Sequence, residues 1–140
     1  MKLRLLLMTI LSVTAAFALF AIDASPGAAQ VQTFTMNKAA TLSNGNEDVT
    51  MTGTLQCPIG EAWSVEAQAI QGHGRLFADA AGEVGPILCT GALQTWSVTT
   101  SQRFGAPFQP GPATGQASVS LDPCVIAPCS QTVDRTISLH

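Results

Sequence analysis

The chain has 140 residues, with 6 Lys and Arg against 9 Asp and Glu and a formal net charge of −3. Beyond the N-terminal segment the basic residues are Lys38, Arg75, Arg103 and Arg135, against eight carboxylates once Asp23 is set aside from the nine. Scattered cations of this kind cannot neutralise a run of phosphates, which excludes nucleic acid as a partner.

The N-terminus reads as an export signal. Lys2 and Arg4 precede an apolar run from Leu5 to about Ile22, and small residues follow at Ala24, Gly27, Ala28 and Ala29, the charged, apolar, small-residue order of a secretory leader. Residues 1–29 are the expected signal peptide, with Ala24 as the alternative cleavage point, and residues 30–140 the expected single domain. The competing expectation is an uncleaved anchor, since a run of about eighteen apolar residues can just cross a bilayer. The rest of the chain is broken too often by charged and turn residues to span one, so no stable membrane span is expected after signal removal.

Period-two alternation dominates the domain. Met51, Gly53, Leu55 and Cys57 share one face of a strand, with Thr50, Thr52, Thr54 and Gln56 on the other, which is the pattern of a half-buried strand. It returns at Trp63, Val65, Ala67 and Ala69, at Trp96 and Val98, and through Ala113, Gly115, Ala117, Val119 and Leu121. A final copy, Val133, Ile137 and Leu139, is interrupted by Arg135, and weaker strands are expected near 31–36 and 84–89. Turn chemistry falls at Asn44-Gly45-Asn46, Gly72-His73-Gly74, Gly85-Pro86 and 107–112. Helical periodicity is absent over any three turns. About seven short strands with such breaks indicate an all-β sandwich or small barrel.

Four cysteines, Cys57, Cys89, Cys124 and Cys129, in an exported chain point to disulfides, and three pairings are possible. The expected pairs are Cys57 with Cys89 and Cys124 with Cys129, contributing about 3–4 and 2 kcal/mol respectively in the chain-entropy model. A single C-x4-C with His73 and His140 as the histidines lacks the spacing of a zinc site, so no metal is expected.

No nucleophile elbow, HExxH or P-loop is present. His73 with Asp79 and Glu83 leaves a Ser/His/Asp arrangement arithmetically open, but a histidine between glycines is ordinarily a solvated turn residue. Glu47 and Asp48 with Asn44 and Asn46 lack EF-hand spacing and read as turn chemistry before a strand. Trp63 and Trp96 are expected to fill the core. Phe104 and Phe108 flank a Gly-Ala-Pro loop and, if exposed, would mark residues 105–112 as a contact surface. Tyrosine is missing altogether, which counts against a lectin.

Val49-Thr50-Met51-Thr52-Gly53-Thr54-Leu55-Gln56-Cys57, then Cys89-Thr90-Gly91, Gln94-Thr95-Trp96 and Phe108-Gln109-Pro110-Gly111-Pro112-Ala113, with a Thr-rich last strand, resemble a family of small secreted bacterial β-sandwich proteins of unknown function. The resemblance implies an exported immunoglobulin-like antiparallel β-sandwich of about seven strands, with Cys57 and Cys89 as the family's cysteine pair. The Cys124 to Cys129 loop departs from that pattern and is expected to staple the last hairpin. That late loop is also similar to the enediyne apoproteins of the neocarzinostatin type, over the tail alone.

The functional expectation is a secreted, non-enzymatic binding module acting on an extracellular partner through its surface, without catalytic residues, cofactor or metal. The alternative is a small-molecule carrier holding a ligand in the sandwich cleft.

Overall fold

A computed structural model describes residues 31–124 and 127–140, the His73 side chain excepted. The expected signal peptide lies outside the described residues. Eight strands follow in order: β1 (Thr33–Met36), β2 (Ala39–Ser43), β3 (Asp48–Gln56), β4 (Ala62–His73), β5 (Leu76–Leu88), β6 (Gln94–Gly105), β7 (Gly111–Asp122) and β8 (Ser130–Leu139).

Strands β1 and β2 both lie along the same edge of β3. The register moves from Met36 opposite Gly53 to Thr41 opposite Thr50, with Asn37 bridging the offset through its backbone N–H and its amide, both donated to Thr52. They form one broken stave. The other edge of β3 pairs with β6, from Asp48 opposite Ser101 to Leu55 opposite Gln94. From β6 the sheet continues through β5, β4, β7 and β8, and β8 returns to β2 in a short parallel ladder, Ala39 opposite Ser138 and Ala40 opposite Leu139.

The sheet therefore closes into a barrel of seven staves. This departs from the expected immunoglobulin-like sandwich, in which two facing sheets keep free edges. Closure removes those edges and the unpaired backbone groups they would expose. The carbonyl of His140 accepts from the Leu42 N–H, and the His140 N–H donates to Ala40, so the seam is sealed up to the last residue.

Between β5 and β6 the ladder covers only Ala78 to Ala81 against Ser101 to Gly105. Beyond it β5 diverges, and the Cys57–Cys89 disulfide ties the end of β3 to the end of β5 across the gap, with Cα atoms 5.5 Å apart. Gln94 donates to the Leu88 carbonyl and accepts from the Thr90 N–H, while Gln56 donates to Gly91. Side-chain bonds and a covalent bridge thus replace backbone ladder where it fails. The second disulfide, Cys124–Cys129, staples the β7–β8 connection as expected.

The interior follows the alternation. Trp63, Trp96, Leu55 and Leu121 fill the end nearest the Cys57–Cys89 bridge, and Ala67, Ala69, Ala78, Ala80 and Ala117 line the middle. Trp96 stacks on Phe34 at 5.7 Å and donates its indole N–H to the Thr35 carbonyl at 3.0 Å. It lies directly over Gly53, where a Cβ would come within 2.6 Å of the indole. Arg135 takes an inward position opposite Gly115 and donates to the Met36 carbonyl, so the apparent interruption of the last strand is a buried-side anchor.

One expected break lies wholly inside a strand. Gly85-Pro86 forms a one-residue bulge in β5, where Trp63 and Val65 face Ile87 and Val84; proline has no N–H for a ladder, and a bulge accommodates it. His73 ends β4, and the tight turn passes through Gly74 at φ 60.

Candidate functional site

Of the two phenylalanines flanking Gly105-Ala106-Pro107 in the 105–112 loop, expected as a contact surface, Phe108 turns inward while Gly105, Pro107, Gln109, Pro110 and Pro112 stay exposed. Phe108 is 1% exposed and plugs the barrel end opposite the Cys57–Cys89 bridge. Buried Gln71, at the end of β4's inward face, holds it there: its amide donates to the carbonyls of Gln109 and Pro112 and accepts from the Gln109 N–H. Phe108 itself donates its backbone N–H to Asn46. Asn46, read from sequence as turn chemistry, is thus engaged in closing the barrel, and Asn44 and Asn46 take left-handed φ values of 50 and 67 to make that turn. Among the described residues no three His, Cys, Asp or Glu are grouped as a metal site requires.

Phe104 behaves differently. It is 63% exposed and stands on the outer face of the sheet opposite Asp79. Phe77 and Ile70 join it on that face: Ile70 is the other cross-strand neighbour of Asp79, and Phe77 is two positions before Asp79 on β5. These three form an exposed apolar rim.

Beside the rim lies a groove of about 430 Å³ on the outer face of β7, β4, β5 and β6, lined by Glu66, Gln68, Glu83, Arg103, Gln116 and Ser118 among others. The register builds it in rows. Thr132, Ser118, Glu66 and Glu83 stand side by side on β8, β7, β4 and β5, and the next row is Asp134, Gln116, Gln68 and Ala81. Arg103 enters from the irregularity where Asp79 and Ala80 face Phe104 and Gln102.

Charges in the groove are unevenly satisfied. Asp79 accepts from the Gln68 amide at 2.8 Å and pairs with Arg103 at 3.9 Å. Asp134 accepts from the Gln116 amide at 2.7 Å, and Ser118 and Thr132 share a hydroxyl hydrogen bond at 2.7 Å. Glu66 and Glu83 face each other directly across β4 and β5 with no ion pair to a described residue, an arrangement that costs stability in a sheet.

At the opposite end of β4, Glu61 and Trp63 stand on the same inward face, and one Glu61 carboxylate oxygen and the Trp63 indole N–H are buried without a partner among the described residues. Trp63 and Trp96 are core residues, as expected. Of Asp79 and Glu83, considered with His73 for catalysis, Glu83 lines the outer groove and Asp79 stands on the same outer face, bonded to the groove residues Gln68 and Arg103; the His73 side chain lies outside the described residues. Glu66, Gln68, Gln116 and Ser118 are legible in the sequence only as outward positions of strands, and Arg103 only as a scattered cation, because what gathers them is the register. No helix among the described residues is long and apolar enough to cross a membrane, and the two disulfides fit an oxidising compartment.

In comparisons with known proteins the chain matches no family model and no curated protein.

Proposed function

We propose that this protein is a secreted, non-enzymatic binding module whose contact surface is the outer groove and its apolar rim. The observation that carries the reading is the pairing of a filled interior with a built exterior. Trp63, Trp96, Phe108, Met36 and Met51 occupy the barrel, while the groove gathers polar side chains from several strands beside exposed Phe77 and Phe104. Rigid strands hold such a surface more precisely than a loop would, and exposed apolar side chains grouped beside a polar hollow are the composition of an interaction site.

Export rests on the N-terminal segment and the disulfides together. The bridges form where thiols are oxidised, and the leader supplies the route there.

The test is photo-crosslinking in the protein's own host. A photoreactive residue replaces Ser118 in the groove or, as control, Thr52 on the outer face of β3. An extracellular adduct formed through Ser118 and not through Thr52 is expected. Adducts confined to Thr52, or substrate turnover abolished by Asp79→Ala, would overturn the reading.

A further inference from the structure

We infer that the groove receives a lysine side chain from an extended segment of a partner protein, with an apolar residue of the same segment resting on the Ile70, Phe77 and Phe104 rim. This rests on the proposed binding face and names what that face recognises.

Charge is the first argument. Glu66, Glu83, Asp79 and Asp134 share the outer face with one guanidinium, Arg103, which is drawn to Asp79. The Glu66 and Glu83 carboxylates stand opposite each other, where an intervening cation would turn mutual repulsion into attraction.

Hydrogen-bond polarity is the second. The Gln68 and Gln116 amides spend N–H donors on Asp79 and Asp134, and the Ser118 hydroxyl is shared with Thr132. What the lining offers a cation is acceptors: the two glutamates and the glutamine carbonyl oxygens, with the Arg103 guanidinium drawn aside to Asp79. An ammonium group brings three donors and no acceptor, and it complements the two glutamates, which would repel an anion.

Spacing is the third. Glu66 and Ile70 are four residues apart on β4, and both point outward. At about 3.3 Å per residue the two features are separated by roughly 13 Å, the reach from one residue to the fourth beyond it in an extended chain, whose side chains at those positions share a face. A lysine followed four positions later by phenylalanine fits both ends at once.

The probe is the peptide acetyl-Lys-Ser-Thr-Ser-Phe-amide, titrated into the disulfide-intact protein and followed by calorimetry and amide chemical shifts. Binding is expected to move the amides of Glu66, Gln68 and Gln116. Glu66→Gln with Glu83→Gln is expected to weaken it about tenfold. Because that double variant relieves repulsion, its thermal midpoint is expected to be no lower, which separates lost binding from lost folding. Equal affinity for a peptide carrying norleucine in place of lysine, or for the double variant, would overturn the inference. Failure of the lysine peptide to bind at millimolar concentration, with the Ser118 adduct still forming in the host, would overturn the lysine assignment and leave the binding face standing; loss of both would remove both.

Discussion

At Gly53 the barrel wall has no room for a side chain, because a Cβ there would collide with the Thr35 carbonyl oxygen and stand 2.6 Å from the Trp96 indole that donates to it. Gly53→Ala must push the β1 backbone at Thr35 away as well as the indole, and a cost of about 3 kcal/mol is expected from overpacking a tight site. Urea unfolding checks this; an unchanged midpoint would show that Trp96 is not locked. Phe108 presents the opposite case. Phe108→Ala leaves a hole where the Gln71-bound loop closes the barrel, and about 3–5 kcal/mol is expected to be lost. At the groove the sign reverses: Glu66→Gln removes one member of a like-charged cross-strand pair and is expected to raise stability by about 0.5 kcal/mol. A lower urea midpoint would mean that Glu66 serves the fold.

The disulfides act at the scale of elements, and they are not equivalent. Cys57–Cys89 closes a span of 32 residues across the place where β5 leaves β6, whereas Cys124–Cys129 closes 5 within one connection. Replacing the first pair by alanine is expected to cost about 3–4 kcal/mol and the second about 2. Hydrogen exchange separates them further: loss of Cys57–Cys89 is expected to speed exchange at 82–89 and at Gln94, with β7 and β8 unaffected. Which elements could be read from sequence follows from which inward positions are large. Strands β3, β4 and β7 alternate bulky or small apolar residues with Thr, Ser and Gln, and their positions are correct within a few residues. Strand β2, Ala39–Ser43, buries little besides Ala40, so it carries no such signal. The first half of β5 hid for a related reason, since its inward residues are Ala78 and Ala80 while the large Leu76 and Phe77 are exposed.

For the whole molecule, closure was the property beyond reach of strand patterns. A sandwich and a barrel share the same alternation, and they differ in long-range pairings such as Ala40 with Leu139 and Gly53 with Trp96. The groove depends on the same information, because Glu66, Glu83 and Ser118 become neighbours only through the register of β4 with β5 and β7. Export is likewise a property of the whole chain, and intact mass spectrometry of the host's extracellular protein is expected to give residues 30–140, with two hydrogens gained on reduction of each bridge. The central claim is that the outer groove is where this protein meets its partner, and photo-crosslinking from Ser118 against Thr52 tests it most directly. An adduct through Ser118 alone is the predicted result; adducts through Thr52 alone, or equally through both, would contradict it.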